Sequence, residues 1–294
     1  MDCGQKIKSN LIGVENMNRK VKRIVEGESK LEGAGVEVYR VFGKPDVEDF
    51  DPFLMMDAFD NHDPDTFSRG FEWHPHRGIE TVTYLLEGEI EHSDSIGNSG
   101  VIKGGDCQWM TAGSGIIHRE MPRPTSSMVG VQLWINLPRE HKMTDPKYRN
   151  FTKSEIPEIK DGDSTVRLVA GEFKGEKSPM EKITVRPTFM DVRVKPGGAF
   201  SYTTESENTL FIYILRGSAE LETEGSRKIS EKQAVLFDRG DEIQVKAGNE
   251  NLQFLLISGK PLNEPIEWSG SVVMNTKEEL KQAYREIDEG NFIK

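Results

Sequence analysis

Short apolar runs separated by glycine-rich turns fill the first half of the chain. The run over residues 53–56 predicts a buried strand, and an earlier strand over Val36–Phe42 is expected to end at Gly43. Further short strands are predicted over residues 81–86, 89–92, 100–102, 107–110, 115–120 and 129–136. Many short strands at this spacing, without a helical pattern between them, predict an antiparallel sandwich or barrel.

The second half of the chain repeats the outline of the first. The segment 211–217 echoes 82–88, which places Gly217 opposite Gly88 at an offset of 129 (217 − 88). A stretch rich in Lys, Glu, Asp and Pro lies between the two halves and predicts a connecting segment. The expected organisation is a polar, irregular arm over about 1–30 within a first domain over 1–140, a linker over 141–163 and a second domain over 164–294.

One segment near the end of the chain has a helical pattern. Thr276 and Glu279 have the spacing of a capping box, and Gly290 marks a helix end. The apolar stripe between them comprises Leu280, Ala283, Tyr284 and Ile287. The pattern predicts a short C-terminal helix that packs on the outside of the second barrel and carries no chemistry.

Composition restricts the class of protein. Lys plus Arg total 38 against 49 Asp plus Glu, a formal charge of −11, which argues against a nucleic-acid partner. The one basic cluster, residues 19–23, is expected to be a solvated surface. No apolar run approaches the roughly 20 residues that cross a bilayer, so no membrane association is expected. With only Cys3 and Cys107 and no secretory leader, a reducing cytoplasmic setting is the simplest expectation.

Two pairs of metal-ligand residues lie in the predicted strands of the first half. His74 and His76 have spacing i, i+2, as do His118 and Glu120. Because alternate side chains of a strand share a face, each pair can converge on one point. Three imidazoles and one carboxylate suit a divalent first-row transition metal, although these ligand types leave iron, manganese, nickel, copper and zinc open.

Glu80 competes with Glu120 for the carboxylate position. It lies four residues after His76, which on a continuous strand is about 13 Å further along the same face. Only a turn at Gly78 would bring it back, so Glu120 is the predicted ligand. Glu80 is interpreted as a partner that orients a ligand imidazole through the other ring nitrogen.

The remaining candidates are given structural interpretations. The other histidines, His62, His92 and His141, are expected to be solvated rather than metal-bound. Cys107 is expected to be a small buried apolar residue, and the default for the apolar neighbours of the site, Trp109, Met110 and Phe53, is plain core. At the offset of 129, Thr203 and Glu205 stand opposite His74 and His76. A second echo, of Gly113 with Gly240, has an offset of 127 (240 − 113) and places Val245 opposite His118 and Ala247 opposite Glu120, so the second half lacks these ligands.

Coordination chemistry narrows the reaction class. Four protein ligands would complete a tetrahedral zinc site and leave no position for a substrate. Around an octahedral ion such as Fe(II), the same four ligands leave two positions for a small chelating molecule and dioxygen. The sequence contains no serine triad, phosphate-binding loop or nucleotide fingerprint that would indicate another chemistry.

Several long motifs resemble those of a known family. The segments 74–78, 80–84, 105–106, 108–113 and 115–118 are similar to the signature of pirins, within the cupin superfamily. The resemblance extends over nearly the whole chain, including the second half and the start of the terminal helix at 275–279. It implies an all-β fold of two tandem cupin barrels followed by a short helix.

The resemblance also implies a function. It places iron in the N-terminal barrel on His74, His76, His118 and Glu120, whereas the general cupin pattern would select Glu80. Some pirins open the flavonol quercetin as a quercetin 2,3-dioxygenase does, so a flavonol-like chelating substrate and dioxygen are the expected ligands. Others are described as non-enzymatic regulators, which gives the alternative of a metal-dependent redox sensor that binds a protein partner.

Overall fold

The structure, a computed structural model, describes residues 18–180, 183–221 and 227–294. Strands dominate these ranges and are, in chain order, β1 (Val21–Glu26), β2 (Glu28–Glu32), β3 (Val36–Phe42), β4 (Phe53–Asn61), β5 (Phe71–His76), β6 (Ile79–Glu87), β7 (Glu89–Asp94), β8 (Ser99–Lys103), β9 (Cys107–Thr111), β10 (Ile116–Pro122), β11 (Met128–Asn136), β12 (Lys147–Phe151), β13 (Glu158–Asp161), β14 (Ser164–Ala170), β15 (Glu172–Phe173), β16 (Glu176–Lys177), β17 (Thr188–Val194), β18 (Ala199–Thr203), β19 (Thr209–Arg216), β20 (Ala219–Leu221), β21 (Arg227–Ile229), β22 (Gln233–Phe237), β23 (Glu242–Ala247), β24 (Leu252–Gly259), β25 (Glu267–Ser269) and β26 (Val272–Met274). The helices are α1 (Val47–Phe50) and α2 (Lys277–Asp288), with 3₁₀ turns at Lys44–Asp46, Pro64–Thr66 and Arg139–His141. No helix in the described ranges is both long and apolar enough to cross a membrane.

Each half is built from a seven-stranded and a four-stranded antiparallel sheet. In the first half the sheet orders are β12-β9-β6-β11-β4-β3-β2 and β5-β10-β7-β8. In the second half they are β1-β22-β19-β24-β17-β14-β13 and β18-β23-β20-β21. The predicted all-β fold of two tandem barrels with a short C-terminal helix is therefore confirmed.

Strand β7 illustrates why the predicted strands form where they do. Its residues alternate between partly exposed and buried, so that Ile90, His92 and Asp94 all point into the first barrel. On its two sides β7 pairs with β8 and β10. The strand predictions for the first half rested on short apolar runs between glycine-rich turns, and those strands are confirmed.

Three segments cross the predicted domain limits. Strand β1 pairs with β22 in the sheet of the second half, although it belongs to the predicted N-terminal arm, whose first 17 residues lie outside the described residues. The predicted linker 141–163 contributes β12 to the first half and β13 to the second. Each half is therefore completed by chain from outside its own repeat, and the limits 1–140, 141–163 and 164–294 stay a prediction.

Arg19 fastens the beginning of β1 to the second half. Its guanidinium donates to the backbone oxygens of Asn208 and Glu205, each at 2.8 Å. The side chain is buried, so the prediction of a solvated basic cluster over residues 19–23 is wrong for Arg19. A buried arginine needs such acceptors, because an unpaired charge away from water costs several kcal/mol.

The two seven-stranded sheets pack face to face and form the largest apolar core. Phe53 and Phe211 contribute one ring from each half, with centroids 5.5 Å apart, and Tyr84 meets Phe189 at 5.8 Å. The Tyr84 hydroxyl also donates to the buried carboxylate of Asp191 at 2.9 Å. Each fully buried phenylalanine contributes roughly 2 kcal/mol by leaving water, so this contact fixes the halves relative to each other.

Helix α2 forms as predicted but packs in a different place. Thr276 caps it through the predicted capping box with Glu279. Its buried residues Ala283 and Glu286 face the first barrel, where Glu286 accepts a 2.7 Å hydrogen bond from Arg77. The expectation that the helix covers the second barrel is therefore wrong, because β26 leads the chain back along β5, with a bridge between Arg77 and Val272.

Candidate metal centre

Three histidines meet inside the first barrel, on the neighbouring strands β5 and β10. The antiparallel register places His118 opposite His74, and His76 lies two residues further along β5. One ring nitrogen from each of these residues lies within 4.8 Å of the other two. His76 and His118 are buried and His74 is half-buried, so the group lies at the inner end of an opening to solvent.

The ring nitrogens of this group are available to a metal. His118 Nε2 and His76 Nδ1 are buried and have no hydrogen-bond partner among the described residues. Burial lowers the pKa of both side chains well below the ordinary histidine value, and the neighbouring imidazoles lower it further. His74 Nδ1 lies 2.7 Å from the backbone oxygen of Glu72, which leaves its Nε2 free. Neutral imidazoles with unused lone pairs fit a transition metal.

Glu120 lies beside this group but is held by hydrogen bonds. Its carboxylate does not join the three histidines within 4.8 Å; it meets that distance with His118 and His92. Gln132 Nε2 donates to its Oε2 at 2.9 Å, and Gln108 Nε2 donates to its Oε1 at 3.3 Å. The predicted fourth ligand is therefore fixed next to the group by two side-chain amides.

Glu80 lies on the other face of its sheet. A turn does form at Gly78, with φ of 77°, but it leads into β6, on which Thr83 faces Glu120 and Glu80 faces away. Thr111 Oγ1 donates to Glu80 Oε1 at 2.8 Å, and burial raises the pKa of this carboxyl group. This placement provides no contact through which Glu80 could orient an imidazole of the group.

His92 is the residue that sequence reasoning missed. It is fully buried in the first barrel, and its Nδ1 lies 3.4 Å from His118 Nδ1, so the expectation that it is solvated is wrong. The available signal was its i, i+2 spacing to Asp94, the same spacing that identified the ligand pairs. The other two histidines, His62 and His141, are exposed as predicted.

The remaining predicted core residues are buried. Burial raises the pKa of the Cys107 thiol, as expected for an inert apolar side chain. Phe53 and Trp109 belong to the core between the halves, and Met110 packs in a smaller apolar cluster with Ile116.

Strand pairing in the second half corrects the positions that correspond to the ligands. Ile90 pairs with Pro122, and Ala219, 129 residues after Ile90, pairs with Ala247. The offset on this strand is therefore 125 (247 − 122), not the 127 that the sequence echo indicated.

At the corrected offset, apolar side chains stand at the positions that correspond to the predicted ligands His118 and Glu120. Ile243 corresponds to His118, and Val245 corresponds to Glu120. Tyr202 takes the place of His74 opposite Ile243. All three belong to the buried apolar interior of the second barrel, so the second half keeps the strands but fills the site with core.

A cavity of about 650 Å³ opens onto the histidine group. Its wall includes His74, His76, Glu120, Gln132, Trp134 and Trp268. The Trp134 ring lies edge-on to the His76 ring at 5.0 Å, and the Trp134 and Trp268 centroids are 5.9 Å apart. An aromatic wall beside potential ligand positions is suited to a flat, partly polar molecule.

The C-terminal segment builds part of this wall and braces β5. Trp268 comes from β25, far along the chain from the histidines. Ser271 donates its hydroxyl to the Pro75 oxygen, between the two histidines of β5, and Val273 N donates to the Arg77 oxygen at 3.1 Å. The strand that carries His74 and His76 is thus held on both edges, by β10 and by the C-terminal segment.

Comparison with known families finds matches in both halves. The family described as Pirin matches residues 35–135, and the family described as Pirin C-terminal cupin domain matches residues 189–293. The two matches fall on the two barrels, and they confirm the resemblance and the tandem cupin fold.

Similar proteins cover almost the whole chain. A pirin-like protein of Caulobacter vibrioides is 39% identical over 277 residues, which are 93% of this chain and 99% of that protein. A Pseudomonas aeruginosa protein, named as a candidate quercetin 2,3-dioxygenase, is 37% identical over 278 residues, with coverages of 92% and 97%. A solved quercetin 2,3-dioxygenase from Acinetobacter baumannii is 32% identical, with a TM-score of 0.84 and coverages of 94% and 98%.

Proposed function

Because this chain belongs to the pirin family of two-barrel cupin proteins, we propose that its first barrel binds one Fe(II) ion and opens quercetin or a similar flavonol with dioxygen. The proposed ligands are His74, His76, His118 and Glu120. The observation that carries this proposal is the group of three imidazoles at the inner end of an aromatic-walled cavity. The names of two similar proteins support the substrate class.

A bound Fe(II) ion would supply Lewis acidity and one-electron chemistry toward dioxygen. The chain supplies binding and orientation. The cavity volume of about 650 Å³ falls within the usual range for a small-molecule site. Trp134 and Trp268 offer aromatic faces to a flat flavonol, and the amide of Gln132 holds the Glu120 carboxylate at 2.9 Å.

Gln132 also couples the aromatic wall to the carboxylate. Its Oε1 accepts a 3.1 Å hydrogen bond from Trp134 Nε1, while its Nε2 donates to Glu120 Oε2 and to Thr83 Oγ1. The orientation of the amide is thereby set from both ends. A substrate ring against Trp134 is consequently placed at a fixed distance from the proposed ligands.

The proposal is tested by metal analysis and spectroscopy on protein purified without added metal. We expect about one iron per chain after anaerobic loading with Fe(II), and a shift of the flavonol absorption bands when quercetin is added without oxygen. Admission of air should then start quercetin-dependent oxygen consumption. Stoichiometric iron binding with no spectral shift and no oxygen uptake would count against the dioxygenase.

Metal removal gives a further prediction. Saturation of the site at 100 times Kd should stabilise the folded chain by about 2.7 kcal/mol, because the ligands converge only in the folded state. For a chain of 294 residues, Tm should rise by roughly 4–7 °C, and a chelator should reverse the rise. Mg²⁺, which prefers oxygen ligands, is the matched control and should leave Tm unchanged. An equal response to both ions contradicts a histidine site.

Trp268 is predicted to bind substrate rather than metal. Replacement by alanine removes an aromatic contact worth about 0.5–1.5 kcal/mol, so KM for quercetin should rise roughly 2–12-fold. Bound iron should be unchanged, since Trp268 offers no ligand. Trp268→Phe retains a ring and should recover most of the affinity, as measured by initial rates across a quercetin series. A loss of iron in Trp268→Ala with unchanged KM disproves this role.

A second candidate function is a redox-sensing regulator that docks a protein partner. Trp73 lies directly before His74, lines the cavity mouth and is 50% exposed. Leu31, the chain neighbour of the cavity residue Glu32, is 75% exposed, and exposed apolar side chains are typical of docking surfaces. The proposed compartment is the cytoplasm. Fe(II)-loaded and Fe(III)-loaded protein should capture different partners from cytoplasmic extract, and Trp73→Ala should remove that difference. Identical captures from both forms argue against a sensor.

A further inference from the structure

We propose that Asp94 and His92 are positioning residues that fix the tautomer of His118 through a hydrogen-bonded relay. The inference rests on the proposed metal centre and deepens it. The relay runs from the Asp94 carboxylate through both ring nitrogens of His92 to Nδ1 of His118, and it leaves His118 Nε2 as the atom that faces the metal position.

The geometry of the relay is set by strand register. In the pairing of β7 with β10, Asp94 stands opposite His118 and His92 opposite Glu120. His92 Nε2 lies 3.4 Å from Asp94 Oδ2, and His92 Nδ1 lies 3.4 Å from His118 Nδ1. All of these side chains are buried, so water does not compete for the contacts.

The chemistry of the partners assigns the protons. A carboxylate only accepts hydrogen bonds, so the His92 nitrogen that faces Asp94 carries the hydrogen. The other nitrogen of a neutral His92, Nδ1, must then accept. His118 Nδ1 faces this acceptor and therefore carries its own hydrogen, which leaves the lone pair on Nε2. That atom is one of the buried nitrogens without a partner among the described residues.

Asp94 is fixed by the turn between β7 and β8. Its Oδ1 accepts hydrogen bonds from the backbone nitrogens of Ile96 and Asn98 at 3.1 and 2.9 Å. Its Oδ2 accepts from Asn98 Nδ2 at 2.9 Å. These donors keep the carboxylate aimed at His92 and require it to act as an acceptor.

Two further neighbours, Tyr148 and Gln108, contact the His92 imidazole and restrict its orientation. The Tyr148 ring stacks on the imidazole, with centroids 4.3 Å apart and an interplanar angle of 22°. Gln108 Nε2 lies 3.3 Å from His92 Nδ1 and donates to Glu120 Oε1 at 3.3 Å, so the amide packs between the imidazole and the carboxylate. The same network thus reaches both proposed ligands on β10.

A second metal position is the competing explanation for this cluster. His92, His118 and Glu120 also bring ligand atoms within 4.8 Å of one another. However, in the relay Asp94 and His118 occupy both nitrogens of His92, and such partners are typical of the residues that surround a metal site. The relay therefore explains the cluster with one ion per chain.

The test compares metal affinity among full-length variants, by Co²⁺ titration against a competing chelator. Asp94→Asn should weaken binding 10–100-fold, the usual effect of removing such a partner. Its amide nitrogen would donate to His92 Nε2, reverse the His92 tautomer and direct a hydrogen at His118 Nδ1. The visible bands of bound Co²⁺ should shift accordingly.

Two substitutions of His92 separate hydrogen bonding from packing. His92→Phe keeps a ring against Tyr148 but has no acceptor, and it should lose 10–100-fold in affinity. His92→Asn is smaller but keeps an oxygen near the position of Nδ1, and it should lose less than about threefold. A purely structural role predicts the opposite order. His62→Phe and His62→Asn are the controls with unchanged affinity, because they make the same two changes at an exposed histidine outside the relay.

The outcomes are distinguishable from failure of the metal centre itself. Unchanged affinity and bands in Asp94→Asn and His92→Phe overturn the relay, as does a wild-type stoichiometry of two ions per chain. Absence of any Co²⁺ binding by the wild-type protein overturns the proposed centre instead. If Asp94→Asn does not fold, the order of the two His92 variants still decides the relay.

Discussion

Replacement of His118 by alanine should reduce bound iron from about one ion per chain to near zero and abolish quercetin-dependent oxygen uptake. The substitution removes a ring nitrogen that is buried and unpaired among the described residues. It also takes away the residue that stands between His74 on β5 and His92 on β7. We expect metal affinity to fall more than 100-fold, measured by elemental analysis and by titration with a competing chelator.

Exposed histidines provide the matched control for this prediction. His62→Ala and His141→Ala remove the same side chain from the surface and should leave iron content and turnover unchanged. Circular dichroism of the His118 variant should show an intact β-sheet signal, since the cores elsewhere are untouched. Turnover that survives in His118→Ala would falsify the assignment of the reaction to this cavity.

Replacement of Arg77 by methionine should destabilise the chain by about 3 kcal/mol, the lower end of the range for breaking a buried ion pair. Arg77 is 2% exposed and donates to the oxygens of Ser114 and Phe292 at 2.6 and 2.8 Å, in addition to Glu286. Methionine fills the volume but leaves these acceptors unpaired. Thermal unfolding should show Tm lowered by roughly 4–8 °C.

Arg119→Met is the control for this change, because Arg119 lies over Trp73 on the surface of the same barrel, 5.4 Å from the ring centroid. Its Tm should fall by no more than about 2 °C. Equal losses in both variants would show that Arg77 has no special role in holding the C-terminal segment.

The contact between Arg77 and Glu286 should also make the stability of the chain depend on pH in the acidic range. The Gln282 side chain, together with Lys294 and Arg77, lowers the pKa of Glu286 to about 2. A depressed carboxyl pKa contributes stability that is present above about pH 4.5 and is lost as pH falls through about 2. The difference in unfolding free energy between wild type and Arg77→Met should therefore narrow over this window, as followed by denaturant melts at each pH.

Local sequence patterns were sufficient to predict most of the first barrel and the histidine group. Strand alternation has a period of two, so the spacing of His74 and His76 fixed a common face without knowledge of any partner strand. Glycine turns separated the strands clearly. The choice of Glu120 over Glu80 followed from the same geometry, and the structure places Glu120 beside the group and Glu80 on the far face.

The interpretation of His92 as solvated rests on its place after Glu91 at the end of a predicted strand. In the structure β7 continues to Asp94 and runs through a barrel whose interior is polar around the histidine group. The i, i+2 spacing of His92 and Asp94 carried the information, and only the register between β7 and β10 gave it meaning.

Long-range placement could not be obtained from local patterns. The capping box located the start of α2 correctly, but nothing in the helix states which barrel its Ala283 face covers. Likewise, the polar sequence of β1 gave no indication that its partner is β22, more than 200 residues away. Such pairings join segments far apart in sequence, and no local pattern records them.

Strand β1 completes the sheet of the second half, and β12 completes the sheet of the first half. Neither half can therefore be cut out of the chain with its sheets intact. A fragment that ends after β11 would lack the strand that covers β9, and a fragment that begins at β14 would leave β22 without β1. Each piece would carry a bare sheet edge and the aromatic face around Phe53 or Phe211, both of which invite self-association. We therefore expect the two halves to fold together rather than as separately expressed units.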